Sequence, residues 1–519
     1  MEKMTVAIIG AGPAGLAAAK SLLEDGQTPV VIEQSSGLGG QWNQGAAHSG
    51  VWPEMHAKSC HVEMSFSDFD YPAGTQMFPT NQEVLAYLTA YAQHFGLEPY
   101  LRLNTRVEQI KRGPAKCYTV VSTDAAGKQH TEEFSHVIVA SGRYNKPRFP
   151  NTPGLDQFEG KVVHSFAYRG RQDFRGQRVL VVGNSISGLE IASDLARNAD
   201  TTVISSCRKP RYIIRKLLKG MPVEQSVFTR FAAYLNQALP PEQAAAGLKQ
   251  FILESFGNPA DFGGLRPSDD LLEAGVAQCQ DYLDDLAIGH IRAVPGVRTF
   301  TTNGAVLTDG QKVPADSLVL ATGYDLNLPF LSEDIRQAVH ADRQHLDLHH
   351  FTFHPALPNF AFMGLFAQIG SYFPTVELQA RWIADCWSGH HALPSLAEMR
   401  RGLDEYEESK QYREETTSQE TLEMFSHDLD VSPSLDKYPY LAQELFFGLL
   451  VPAQFRIEGH GSRPDALARF VAASRYYNGG QPTPLNERQL GGLQMLARAL
   501  PRNQQLQGIV HKLQSEVMA

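Results

Sequence analysis

The chain has 519 residues, 43% of them hydrophobic, enough for two to four domains with sizeable cores. A formal net charge of −10, with no block of like charge, argues against the basic field that gathers nucleic acid. The five cysteines, Cys60, Cys117, Cys207, Cys279 and Cys386, form no CxxC pair, which disfavours a disulfide framework, a zinc knuckle or a dithiol redox centre and fits a reduced, cytoplasmic setting.

The N-terminus enters a strand without the charged and apolar regions of a signal peptide, and the longest apolar runs, such as LFFGLLV at 445–451, are too short to span a bilayer. TVAIIG at 5–10 reads as a buried parallel strand, GAGPAG at 10–15 as a turn, and LAAAKSLLEDG at 16–26 as a helix that ends in glycine. A phosphate needs that order. Gly10 permits the tight turn, Gly12 lets the backbone approach a pyrophosphate and Gly15 lets the helix pack closely on the strand, with Pro13 and Ala14 between them. The bland alternative is a tight turn in an unrelated α/β protein. A second strand, PVVIEQ at 29–34, places Glu33 where a carboxylate meets a ribose hydroxyl and repels a 2′-phosphate, so this half prefers FAD or NAD over NADP. GLGGQW at 37–42 adds Gly40, Gln41 and Trp42 as candidate contacts along a flavin's ribityl chain.

Further on, VIVASGRYNKPRFP at 137–150 reads as a strand closing on a nucleotide, with Ser141 at its end. The strand–turn–helix pattern then repeats in VLVVGNSISGLEIASDLA at 179–196. Gly183, Asn184, Ser185, Ser187 and Gly188 form the second turn, in which Ser185 replaces the middle glycine and offers a hydroxyl, as does Ser187. The following strand, TTVISS at 201–206, ends without an acid and runs into Arg208 and Lys209. An arginine there grips a 2′-phosphate, with Ser205 or Ser206 as a further donor, so NADPH is expected over NADH. Four more basic residues, Arg211, Arg215, Lys216 and Lys219, either steer the anion or form a solvated face.

ADSLVLATGYDLNLPFL at 315–331 reads as a second closing strand, ending at Ala321, Thr322 and Gly323. The expected fold is α/β, with two Rossmann-like dinucleotide-binding domains, the NADPH domain inserted into the FAD domain. The FAD domain takes 1–170 and 305–395, the NADPH domain 171–304 with a helical insert at about 220–290, and a largely helical C-terminal extension 396–519. Within that extension, 400–430 reads as an exposed helix and connector. His349 and His350 have no carboxylate or cysteine at ligand spacing, so no metal site is expected there or elsewhere.

Between the two turns lies FEGKVVHSFAYRG, residues 158–170. Phe158, Gly160, His164, Ser165 and Tyr168 fit the pattern FxGxxxHSxxY, and through it the chain resembles the flavin-containing monooxygenases. The related Baeyer–Villiger enzymes place Trp where Tyr168 stands. The likeness continues through 321–331, 354–382 and 449–461 in family order. It implies FAD and NADPH as cofactors and dioxygen and a small-molecule amine or sulfide as partners: NADPH reduces FAD, dioxygen adds to the flavin, and the hydroperoxide passes one oxygen atom to nitrogen or sulfur. The alternatives are a ketone monooxygenase and an NADPH-dependent flavin reductase without oxygenation. Assembly into a homo-oligomer is left open.

The resemblance also places Lys58 where many members carry an asparagine facing flavin and nicotinamide, which makes it the candidate catalytic residue; the alternative is a lysine turned to solvent. Gln368 is a candidate for the flavin's carbonyl edge or for plain loop bonding, and Val107 completes the candidate flavin contacts. His164 either pins the crossing strand or donates a proton near the flavin.

Overall fold

The computed structural model describes residues 4–410 and 415–518. Its first sheet has five parallel strands, in the order Phe360–Phe362, His136–Val139, Thr5–Ile9, Thr28–Ile32 and Leu101–Arg102. Both faces are covered, which is why these strands read as continuous apolar runs. Val6 and Ile8 enter a core with the helices Pro13–Glu24, Asn81–His94 and Phe373–Ser388; Ala7 and Ile9 enter another, built with the antiparallel strands Arg106–Arg112, Tyr118–Thr123 and Gln129–Phe134.

A second parallel sheet has the order Ile291–Pro295, Thr202–Cys207, Arg178–Val182, Ser317–Leu320 and Lys161–His164. Val179 and Val181 pack on the helix Ile186–Ala196, whereas Leu180 and Leu320 pack on a three-stranded antiparallel layer, Val297–Thr301, Gly304–Leu307 and Lys312–Pro314. In each sheet the central strand carries a glycine turn, so the architecture is two Rossmann-like units. The second sheet draws strands from outside 171–304. Ser317–Leu320, read from sequence as the return to the first unit, instead pairs with Arg178–Val182, and the first sheet is rejoined at Phe360–Phe362. All four residues of Ser317–Leu320 are buried, as an inner strand requires, but only the pairing says of which sheet.

The insert contains the helices Arg230–Ala238 and Pro241–Phe256. The C-terminal part contributes Leu396–Lys410, Ser418–Asp428, Ala466–Ser474, Glu487–Ala499 and Gln504–Met518. Of the segment 400–430 expected to be an exposed helix and connector, the helix to Lys410 is largely exposed and residues 411–414 lie outside the described residues, but Ser418–Asp428 corrects the expectation. Leu422 and Phe425 are fully buried there, and two of its polar side chains reach distant partners: Glu423 accepts from Arg230 at 2.8 Å, and Thr421 donates to Gln368 at 2.7 Å. Among the described residues, no helix is long and apolar enough to cross a membrane.

Candidate active site

Both glycine turns open into one cleft of about 2380 Å³. At the first turn Gly10 has φ +109°, and a Cβ there would lie 2.7 Å from the Ala140 carbonyl oxygen. Gly15 has a packing role: its Cβ would stand 1.9 Å from the oxygen of Gly10, so helix and turn meet only without a side chain. Gly40, at φ +56°, would strike the Cα of Gly12 at 2.9 Å, so two bare backbones form this wall. The helix Pro13–Glu24 starts on Gly12 with no side-chain cap, which leaves its first N–H groups facing the cleft beside Pro13 and Ala14. This cradle suits a pyrophosphate.

Glu33 is buried at the cleft floor, where its carboxylate accepts from the backbone N–H of Ala11 at 2.9 Å and of Ser35 at 2.8 Å. Gln41, Trp42, Val107 and Ser141 also line the cleft, Gln41 with its amide donated to the Tyr144 carbonyl.

The second turn repeats the device. A Cβ on Gly183 would lie 2.3 Å from the Ala321 oxygen, and one on Gly188 would lie 2.0 Å from the Gly183 oxygen. The helix Ile186–Ala196 starts on Ser185, again without a side-chain cap, and Asn184, Ser185 and Ser187 line the cleft. Ser205 does not. Side chains alternate along a strand, and Ser205 faces the core beside Val203, where its hydroxyl accepts from Tyr282 at 2.9 Å. Ser206 borders the cleft, but its hydroxyl donates to the Pro295 carbonyl at 2.8 Å. Of the six basic residues, Arg208, Lys209 and Arg211 line the cleft, whereas Arg215 pairs with Asp284.

Thr322 and Gly323 join the two cradles. Thr322 donates its hydroxyl to the Arg148 carbonyl at 2.5 Å, and the Gly323 carbonyl accepts from Nε2 of His164 at 3.1 Å. Nδ1 of His164 accepts from the Phe166 N–H at 3.1 Å, so both ring nitrogens are engaged by backbone. Burial lowers this imidazole to about 4, which keeps it neutral. His164 therefore pins the crossing strand, the first of its two sequence readings. Tyr168, fully buried, donates to Asp194 at 2.6 Å.

Lys58 lines the cleft with its Nζ 2.5 Å from a carboxylate oxygen of Glu190, on the second-turn helix. Lys216 stands 3.5 Å from the other oxygen of Glu190. Burial pulls the Lys58 ammonium down to about 8 against the attraction of Glu190, with Lys216 adding to the fall. For Glu190, burial would raise the carboxyl, but the two lysines outweigh it and hold it below its ordinary value. Glu190 was missed from sequence. It follows Ser187 by one helical turn, a spacing that shares a face, but an acid on an amphipathic helix reads first as solvated.

Gln368 also lines the cleft, but its amide is bound internally. It donates to the Ser371 carbonyl at 2.7 Å and accepts from Thr421 at 2.7 Å, so its side chain holds a turn against the C-terminal helix Ser418–Asp428. The insert supplies Asn236, Gln237, Ala244 and Leu248 to the same cleft, positions that sequence did not single out.

A family model described as flavin-binding monooxygenase-like matches residues 3–479. Flavin-containing monooxygenase 3 of Macaca mulatta is 32% identical over 483 residues, covering 89% of this chain and 90% of its own. Among solved structures, S-allyl-L-cysteine S-oxygenase from Allium sativum superposes with a TM-score of 0.62 at 23% identity, over 92% of this chain and 99% of its own. Cyclohexanone monooxygenase in its closed form gives 0.61 at 18% identity, over 83% and 97%.

Proposed function

Because the chain belongs to the flavin-binding monooxygenase-like family, we propose that it uses NADPH and dioxygen to place one oxygen atom on a nitrogen or sulfur atom of a small molecule. The family is one of oxidoreductases that use FAD and NADPH. Bound FAD supplies the electron transfer and the activation of dioxygen. The observation that carries the reading is that two uncapped helix N-termini, each behind a glycine turn, open on the same cleft.

In this reading the backbone of Gly10, Gly12 and Gly40 and the first-turn helix hold the FAD pyrophosphate, with Glu33 accepting from a ribose hydroxyl. Asn184, Ser185 and Ser187 hold the phosphates of NADPH, and Arg208, with Lys209 and Arg211 beside it, takes the 2′-phosphate. Ser206 borders this edge without a free hydroxyl, since that group is already donated to the Pro295 carbonyl. Thr322 and Gly323, fixed through Arg148 and His164, keep the two cradles in register. Lys58 sets a cation on the cleft wall, anchored to the helix that holds NADPH, where it orients the nicotinamide half or an anionic group of the substrate. Apolar walls such as Phe228, Leu248 and Phe373 exclude water from the reacting atoms.

The neighbouring structures include both an S-oxygenase and a ketone oxygenase, so the shared fold does not select the substrate. Tyr168 at the end of the crossing motif favours the heteroatom. The test is anaerobic bleaching of the yellow protein by NADPH, followed by oxygen in the presence of amines, thioethers and ketones, with product mass recorded. An oxygenated amine or thioether supports the reading. Ester from the ketones alone, or NADPH consumption with no oxygenated product, overturns it.

A further inference from the structure

Far from the cleft, two carboxylates and two imidazoles from three separate stretches of chain converge. Asp25 lies just beyond the helix Pro13–Glu24, at the end opposite the glycine turn and about 18 Å from it for twelve residues of helix. Asp385 sits near the end of Phe373–Ser388, His390 follows the left-handed turn at Gly389, and His460 belongs to the C-terminal segment after Pro452–Arg456. One donor atom from each residue lies within 4.8 Å of the others. Nδ1 of His460 is 3.1 Å from a carboxylate oxygen of Asp385, and Nδ1 of His390 is 3.7 Å from Asp25. The two imidazole rings are 4.2 Å apart.

We infer that Asp25, Asp385, His390 and His460 form a divalent-metal site with a preference for zinc-like ions, and that the ion clamps the C-terminal segment onto the first unit. Two imidazole nitrogens and two carboxylate oxygens are a donor set that borderline ions accept, and hard ions such as calcium and magnesium prefer oxygen alone. Tetrahedral bonds of the usual length would set donors about 3.4 Å apart. The spread seen here therefore asks for a contraction of about an ångström. The histidines have the freedom to make it, since their side chains are 45% and 47% exposed, while both carboxylates are 7% exposed and held in place.

The surroundings orient the donors as outer partners of a metal site do. Ser388 donates its hydroxyl to Asp25 at 2.8 Å. The backbone N–H of His390 donates to the Asp385 carbonyl at 3.0 Å, which fixes the loop that presents the ring. Arg381 donates to the His460 carbonyl at 3.0 Å and to that of Phe455 at 2.8 Å, holding the segment from below. Two buried carboxylates this close repel one another, and a dication between them removes that cost. Sequence spacing gave no sign of the cluster, because its members stand at 25, 385, 390 and 460.

The test uses the full-length, untagged, FAD-loaded protein after treatment with a chelator. Zinc chloride is titrated in competition with a chromophoric chelator, with calcium and magnesium in parallel, and the melting midpoint is followed. One zinc per chain and a raised midpoint are expected, with no comparable response to calcium or magnesium. The double variant His390→Ala/His460→Ala should bind zinc at least about 100-fold more weakly, keep its flavin absorbance and NADPH oxidation, and lose the rise in midpoint. His460→Gln alone should fall between the two. X-ray absorption of the zinc-loaded protein should report two imidazoles and no sulfur ligand. Equal zinc uptake by wild type and double variant, equal response to calcium, or a sulfur ligand would overturn the site.

Discussion

At the scale of single residues the cleft turns on charges held in partial burial. Lys58 keeps its proton below about 8 and releases it above, because burial disfavours the ammonium more than Glu190 supports it. Wild-type reduction of flavin by NADPH is therefore expected to fall as pH rises through about 8, where the Lys58–Glu190 pair loses its cation. Lys58→Met should remove that step from the pH profile and lower kcat/KM for NADPH about 10- to 100-fold, the loss of one charged contact of about 1.5–3 kcal/mol. An unchanged step in the variant would show that another group titrates. The same lysine has a linkage consequence of defined sign. Between about 8 and its ordinary 10.5 the unfolded chain holds this proton more tightly than the folded one, so the burden of burying Lys58 eases as pH rises across that window. Arg208 is a separate test, since it touches the cofactor reading and not the fold. Arg208→Ala should raise the KM for NADPH about 10-fold or more and leave NADH nearly unaffected, measured by initial rates with each nucleotide.

At the scale of elements, one substitution has opposite signs at two glycines. Gly15→Ala puts a Cβ 1.9 Å from the Gly10 oxygen, so helix and strand must part, at about 1–3 kcal/mol and with loss of bound flavin. Gly247→Ala, inside Pro241–Phe256 with nothing within 4 Å of its Cβ, should stabilise by about 0.4–1 kcal/mol. Melting midpoint and flavin content of both variants check the pair. The contrast explains what could be read from sequence. The glycine turns were legible because strand, turn and helix are contiguous and each glycine has a local steric reason. Ser205 and Ser206 looked equivalent because alternation says they face opposite sides without saying which side is the cleft. Ser317–Leu320 was misplaced because its apolar run is right for an inner strand of either sheet. The helix Ser418–Asp428 looked solvated because two of its polar side chains find partners, Arg230 and Gln368, that lie more than fifty residues away.

At the scale of the molecule, the C-terminal segment is joined to the first unit by a buried charge network that no spacing rule announces. Arg456 donates to Ser67 at 2.9 Å and lies 3.3 Å from Glu377 and 3.7 Å from Asp68, while Lys20 on the first-turn helix donates to Asp68 at 2.6 Å. Their side chains are at most 3% exposed. Such a network adds little over an apolar core, but removing one member leaves buried charge uncompensated. Arg456→Met should therefore cost about 3–5 kcal/mol. Flavin release should move with unfolding, because Lys20 sits on the helix that carries the first turn. Acid supplies the discriminating measurement. For Asp68, burial would raise the carboxyl, but Lys20 and Arg456 outweigh it and hold it below its ordinary 3.8. Its stabilising contribution is present above that value and is lost as pH falls through the lower, folded value. Without Arg456 the folded carboxyl takes up its proton at higher pH than in wild type. The stability gap between wild type and Arg456→Met, measured by urea unfolding at a series of pH values, should then be widest near neutrality and narrow progressively toward pH 3. A gap that stays constant across that range would mean that Arg456 acts through packing of its stem, and that the charges beneath the C-terminal segment do not hold it in place.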